Sequence, residues 1–319
     1  MTQPHRPPRP RVVAIVGPTA SGKTGVAVAA ARRLATAGRR VEVISADSRQ
    51  VRRDMVIGTA APTEEEQAAA PHHLVGVVAP DAPWAITDWL AGARAAIEDI
   101  TKGGGLPLVV GGTGQYVWAL LEAWDVPAVP PDFALRARHE AFAAAEGREA
   151  LHARLAAVDP ASADRIDARN VRRVVRALEI VEVTGRPVPP LEPRDPGFDW
   201  RVVGLHWPRE ALHERADRRV EAMFSDGPGG GLLEETRALV DRHGRDFEAL
   251  RSIGYREALG VLDGTLTLAQ AVERTQIETH RLIRMQATWF REGDPRIQWV
   301  SGTDVAAAVD AVVTATAGS

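Results

Sequence analysis

The sequence predicts an α/β fold in which a parallel sheet flanked by helices is interrupted by an all-helical insertion. Three observations carry this reading. Short apolar runs rich in β-branched residues alternate with helical stretches. The first run leads straight into a glycine-rich loop and a helix. From Asp132 to Thr184 strand character is absent and only helical periodicity remains, dense in Ala and Arg.

Arg11 to Val16 (RVVAIV) reads as a buried parallel strand, because near-continuous apolar runs mark strands covered on both faces. Lys23 to Leu34 has helix-forming composition. Val41 to Ser45 is a second strand, and Trp84 to Ile100 a helix broken by Lys102 to Gly105. Leu106 to Val110 is a third strand, followed by Gly111-Gly112 and a helix from Thr113 to Ala123. Pro-rich linkers (Val126 to Pro131 and Gly185 to Gly197) bracket the helical stretch. Strand character returns at Arg201 to His206. This divides the chain into a discontinuous core, 1–125 with 201–319, and a helical insertion, 126–200. Helices follow at Pro208 to Phe224, Leu232 to Arg242, Tyr255 to Leu262 and Leu268 to Arg291. A strand at Arg296 to Val300 and an Ala/Val-rich packing helix after Gly302 close the chain.

Composition sets limits. The chain has 319 residues, 45% hydrophobic and 25% charged, as in ordinary globular proteins. With no Cys, disulfides, thiolate zinc sites and a Cys nucleophile are excluded. The N-terminus is basic and Pro-rich without an apolar signal stretch, and no run reaches the roughly 20 apolar residues of a membrane helix. A cytoplasmic protein is expected, with a monomer as the default. Net charge is −3, which disfavours nucleic-acid binding by the whole surface. Between Arg136 and Arg176, however, nine Arg stand against six acids, so any RNA contact is local.

Gly17-Pro18-Thr19-Ala20-Ser21-Gly22-Lys23-Thr24 fits G-x-x-x-x-G-K-[ST], with a strand before it and a helix after. The sheet is therefore of the P-loop NTPase type. Its loop amides and helix N-terminus suit a di- or triphosphate. Lys23 adds a full charge, and the Thr24 hydroxyl can ligate Mg2+. Ligands of parallel sheets gather at the carboxyl ends of the strands. Asp47 after the second strand and Thr113 after the third both fall there. Asp47 reads as a proton acceptor or metal ligand, or else as a turn or capping residue. Thr113 reads as a donor to a leaving oxygen or as a helix cap.

The segments GPTASGKT, SADSRQV, IGTAAPT, PHHL, VGGTGQY, VRRVVRALEI, SIGYREAL and MQATWFR occur in this order. Together they resemble the bacterial tRNA dimethylallyltransferases over nearly the whole chain. The resemblance implies that Lys23, Thr24 and the rest of the P-loop grip the pyrophosphate of dimethylallyl pyrophosphate. It implies Asp47 as the acid that takes the proton of the adenine amine, Thr113 at the bridging oxygen, and Arg237 as a further pyrophosphate ligand. Ser48, Arg49 and Gln50 match the strip that receives the flipped base. The insertion matches the anticodon stem-loop-binding domain, with Arg136, Arg172, Arg173 and Arg176 facing RNA, joined by Arg165 and Arg169. Each of these arginines can equally sit on a solvated face, paired with Asp164, Asp167 or Glu179. The chain departs from the family pattern at Arg52 to Val56, at Ala61 where Lys is usual, and at Met285 where Arg is usual.

His72-His73 reads as structural or close to the tRNA rather than as a metal site, and Trp289 with Phe290 as packing for the last long helix. Two other enzymes would share the P-loop. One is an isopentenyltransferase acting on free adenine nucleotide, which would not need the Arg-bearing insertion. The other is a small-molecule kinase, against which the DSRQ and GGTGQY segments count. A non-catalytic RNA-binding protein would have no use for the set Lys23, Thr24, Asp47 and Thr113.

Overall fold

The computed structural model describes residues 9–225 and 231–317. The Pro-rich segment before Arg9 lies outside them. Among the described residues the chain forms two compact units, one of 9–84, 88–121 and 195–317, the other of 85–87 and 122–194. The insertion therefore starts and ends a few residues earlier than its Pro-rich linkers suggest. Asp195 already belongs to the first unit, where it is ion-paired with Arg9.

The first unit is built on six parallel strands: β1 (Arg11–Val16), β2 (Val41–Ser45), β3 (His72–His73), β4 (Leu106–Gly111), β5 (Asp199–His206) and β6 (Ile297–Ser301). Their order is β3-β2-β4-β1-β5-β6. β1 is central, and Val12 to Val16 are all fully buried, as expected of a strand covered on both faces. On one face, Val13 and Ile15 pack with Val26, Ala27, Ala30 and Leu34 of α1 (Lys23–Thr36) and with Ala308 and Val312 of α13 (Val305–Thr316). The last helix is thus a packing element.

Next in chain order come α2 (Glu64–Ala69), α3 (Ile86–Lys102) and α4 (Gly114–Leu121). Trp89 of α3 stacks on Tyr116 of α4 with ring centroids 4.6 Å apart, and its indole donates to the Ser45 carbonyl at 2.8 Å. β3 has only two residues and no apolar pattern, so sequence periodicity does not reveal it. It is held to β2 partly by His73, whose Nε2 lies 2.6 Å from buried Glu42. His73 therefore has a structural contact here.

The second unit contains α5 (Phe133–Glu146), α6 (Arg148–Val158), α7 (Pro160–Arg165) and α8 (Val171–Thr184). Leu151, Leu155, Val174 and Leu178 form its core. Asp132, Asp159 and Asn170 cap three of the helices by accepting backbone N–H bonds, which satisfies donors that have no intrahelical partner. Glu179 is fully buried. Arg136 grips it through two bonds of 2.9 Å, Arg176 bonds its other side, and the Asp132 N–H donates at 2.6 Å. Burial alone would raise the Glu179 carboxyl, but the two arginines and the amide hold it below the usual carboxylate range. Arg136 and Arg176 therefore serve the internal order of this unit, because a buried carboxylate demands compensating cations. Of the two readings left open for these arginines, pairing with Glu179 is the one seen here. Arg165 is likewise bonded to Ser162, and Arg169 is paired with Asp167. Arg172 and Arg173 remain exposed.

The rest of the first unit comprises α9 (Arg209–Phe224), α10 (Gly231–His243), a 3-10 turn (Glu248–Arg251), α11 (Tyr255–Leu262) and α12 (Leu268–Trp289). Val220, Leu232, Leu239, Tyr255 and Ala271 form a second core cluster here. Trp289 meets α4, where its carbonyl accepts from the Trp118 indole at 3.1 Å.

Candidate active site

The order β2-β4-β1 brings three loops side by side at the carboxyl ends of these strands. The P-loop leaves β1, Asp47 to Gln50 leave β2, and Gly112-Thr113 leave β4. The first loop turns into α1 at Gly22, which adopts φ 87°, a left-handed conformation suited to glycine. Ala20 is also left-handed, at φ 64°, a strained geometry of the kind found at ligand-binding turns. α1 has no side-chain cap and no acid in its first turn, so its N-terminal amides and positive dipole end suit an anion.

The loop is held from outside. Trp207 donates to the Ser21 carbonyl at 3.1 Å, and Arg215 donates to the Ala20 carbonyl at 3.0 Å while its guanidinium stacks 4.5 Å over the Trp207 ring. Arg219 donates to the Thr19 hydroxyl at 2.6 Å. Lys23 reaches the Pro18 carbonyl at 2.8 Å. Thr19, Gly22, Lys23, Thr24, Asp47, Arg215 and Arg219 border one cavity. Burial pushes the Lys23 ammonium down to about 8, while Asp47 pulls it upward and Arg219 presses it slightly further down. Burial also lowers Arg219, with Asp47 opposing. Lys23, Arg215 and Arg219 thus share the cavity with Asp47 and Glu66, and charges this close interact strongly.

Asp47 Oδ1 accepts the Arg49 N–H at 2.9 Å, closing a turn that fixes the carboxylate. Thr113 does not cap α4 with its hydroxyl. Its Oγ1 accepts the Ser48 N–H at 3.1 Å and keeps its own proton to donate. Gln50 is engaged internally, accepting from Ser45 at 2.8 Å and donating to Ala60 at 2.9 Å. Ser48 is exposed, and Arg49 borders a narrower cavity with Asp47, Gly58 and Met223.

Arg237 does not join this group. It is exposed on α10, paired with Glu234 one turn earlier, and borders neither cavity. Arg219 on α9 borders both cavities. Glu235, two residues before Arg237 and on the other face of α10, carries no signal in the sequence pattern. Glu235 accepts N–H bonds from Val56, Ile57 and Gly58 at 2.8–3.2 Å and the Tyr255 hydroxyl at 2.6 Å, which secures the loop opposite the P-loop. Burial and the Glu235 carboxylate push the Tyr255 phenol well above its ordinary range, so it stays a donor. Glu235→Ala is expected to cost about 1–3 kcal/mol of stability by leaving such donors unsatisfied; a lowered unfolding midpoint checks it.

The departures from the family pattern also find places. Arg52 turns inward, with its guanidinium on the carbonyls of Ala79, Pro80 and Ala82. Asp54 pairs with Arg242, Ala61 borders the cavity, and Met285 is exposed.

Fold and site define a P-loop protein that gathers cations around one cavity and sets a carboxylate beside them. The IPP transferase family model matches residues 50–293 and the isopentenyl transferase model residues 10–71. The chain belongs to the IPP transferase family. It is 50% identical over 283 residues to a tRNA dimethylallyltransferase of Chloroflexus aurantiacus, covering 88% of this chain and 92% of that one. A tRNA dimethylallyltransferase of Geobacillus kaustophilus is 41% identical over 297 residues, covering 92% and 91%. Among solved structures, the full-length tRNA isopentenylpyrophosphate transferase of Bacillus halodurans superposes with a TM-score of 0.67 at 36% identity, covering 96% of each chain. A eukaryotic dimethylallyltransferase acting on tRNA gives 0.71 at 24% identity, covering 93% of this chain and 75% of that one, a likeness of fold.

Proposed function

We infer that this chain transfers a dimethylallyl group from dimethylallyl pyrophosphate to the exocyclic amine of the adenosine 3′-adjacent to the anticodon in tRNA. The observation that carries the reading is one cavity bordered by Lys23, Arg219 and Asp47 at the end of a P-loop. Its relatives are tRNA dimethylallyltransferases at 41% and 50% identity over most of the chain.

The chemistry follows from the charges. The allylic C–O bond breaks with its electron pair passing to the pyrophosphate, and the carbon gains cation character. Lys23, Arg219 and the α1 N-terminus stabilise the departing negative charge, the larger part of such catalysis. The Thr113 hydroxyl donates to the bridging oxygen. The adenine amine forms the new C–N bond, and Asp47 takes the proton it releases. The base reaches the cavity only when turned out of the anticodon stack. Thr24 and Asp47 offer oxygen donors on the same cavity, a set that suits a hard cation. Mg2+ held there would neutralise pyrophosphate charge. Among the arginines singled out in the insertion, Arg172 and Arg173 are exposed and suit RNA phosphates. Among the described residues no helix is long and apolar enough to cross a membrane. A monomer working in the cytoplasm, where tRNA is found, completes the proposal.

Lys23 makes binding pH-dependent. It is charged below about 8 and neutral above. Affinity for inorganic pyrophosphate is therefore expected to fall as pH rises through about 8, and Lys23→Met to remove that limb in a calorimetric titration. The reading itself is tested with labelled dimethylallyl pyrophosphate and, in parallel, tRNA, AMP or ATP as acceptor. Label in tRNA supports it. Label only in the free nucleotide moves the answer to the nucleotide-prenylating enzymes, and no transfer by folded protein overturns it.

A further inference from the structure

One side chain connects the two halves of this site without carrying charge. Gln286, on α12, is buried, with 8% of its surface exposed. Its Oε1 accepts the Thr19 N–H of the P-loop at 2.7 Å. Its Nε2 donates to the Gly112 carbonyl at 3.1 Å. Gly112 directly precedes Thr113, whose hydroxyl accepts the Ser48 N–H beside Asp47. A continuous series of bonds therefore runs from the loop expected to hold pyrophosphate to the carboxylate expected to take the proton, and a single amide is its middle member.

The surroundings are built for that amide. A Cβ on Gly112 would lie 2.2 Å from Gln286 Nε2, so a side chain at 112 would displace the amide from its present bond. Gln is also the side chain the two partners demand. Thr19 offers a donor and Gly112 an acceptor, and a carboxamide presents one of each. Neither Glu in its ionised form nor an apolar residue satisfies both.

We propose that Gln286 is a positioning residue that fixes the separation between the pyrophosphate loop and the Thr113–Asp47 loops, and so acts on the bond-forming step rather than on pyrophosphate affinity. The proposal rests on the functional reading above. Gln286 touches the P-loop only at Thr19 and borders the same cavity, while the charged groups Lys23 and Arg219 and the α1 N-terminus do not bond it, so most of the pyrophosphate affinity should survive loss of the clamp. The reaction needs the allylic carbon, the amine and the base aligned, and misplacement by about 1 Å can cost about 10²-fold in rate.

The test compares wild type with Gln286→Met, Gln286→Glu and Gly112→Ala. Thermal unfolding, calorimetric binding of inorganic pyrophosphate, and kcat and KM for label transfer to tRNA are measured for each. The expected result is kcat lower by about 10²-fold in Gln286→Met and Gly112→Ala, with pyrophosphate affinity close to wild type. In Gln286→Glu the deficit should shrink as pH falls, because only the protonated acid donates to the Gly112 carbonyl. Should Gln286→Met fail to fold, the Glu variant and Gly112→Ala carry the same comparison. Lost pyrophosphate binding with kcat retained would assign Gln286 to the P-loop alone and overturn the proposal. A lowered unfolding midpoint with unchanged kinetics and no pH-dependent rescue would make it merely structural and also overturn it. A folded wild type that binds pyrophosphate but transfers no label to tRNA would sink the functional reading first, and the proposal with it.

Discussion

Asp47→Asn is expected to slow prenyl transfer to tRNA by about 10²- to 10⁴-fold, the range that a placed general base contributes. The asparagine is the informative substitution. Its side-chain oxygen can still accept the Arg49 N–H, which Asp47 now does at 2.9 Å, so the turn and the path of Ser48 and Arg49 survive. What is lost is the capacity to take a proton, together with the negative charge offered to a cation. Pyrophosphate affinity should hold or rise, since a negative charge leaves the neighbourhood of Lys23 and Arg219. Asp47→Ala, which also removes the turn bond, should be at least as slow. Single-turnover transfer of label, with pyrophosphate titration alongside, checks both points. Full activity in Asp47→Asn would mean that the proton leaves by another route.

Arg219→Ala is expected to lower kcat by about 10²- to 10³-fold, as removal of one preorganised donor to a leaving oxyanion does. Arg237→Ala is expected to leave transfer at the wild-type level. The two arginines separate two accounts of the site. Arg219 reaches the Thr19 hydroxyl at 2.6 Å and borders the cavity with Lys23. Arg237 is exposed and paired with Glu234. Arg219→Lys should recover little, because an ammonium lacks the planar fork that serves Thr19 and an incoming phosphate together. Steady-state rates of the three variants at saturating tRNA decide the matter. A silent Arg219→Ala beside a damaged Arg237→Ala would return the pyrophosphate contact to α10.

The P-loop was legible in eight consecutive letters because its function is local. The glycines, Lys23 and Thr24 act through backbone geometry and a helix end that those same residues create. Asp47 and Thr113 were legible one step further out. Strand character at Val41–Ser45 and Leu106–Gly111, with parallel topology, sends whatever follows each strand to the same edge of the sheet. β3 escaped notice because two residues carry no periodicity.

The arginines were beyond the reach of local reading. Arg136 and Arg176 have the residue type and helical spacing of a phosphate-binding face, yet they converge on Glu179, whose burial follows from packing within the helical unit. Arg219 and Arg237 both lie on amphipathic helices among acids, and nothing in their neighbours distinguishes them. Arg219 finds Thr19 across 200 positions of chain, and Gln286 finds it across 267. Short stretches of residues suffice to mark a loop that suits an anion and the strand ends beside it, because backbone conformation and strand pairing answer to short-range chemistry. Which cation, carboxylate or amide completes the site was decided only by tertiary structure. A charged helical residue takes its role from whatever the fold brings within about 3 Å of it, and that neighbour is seldom near in sequence.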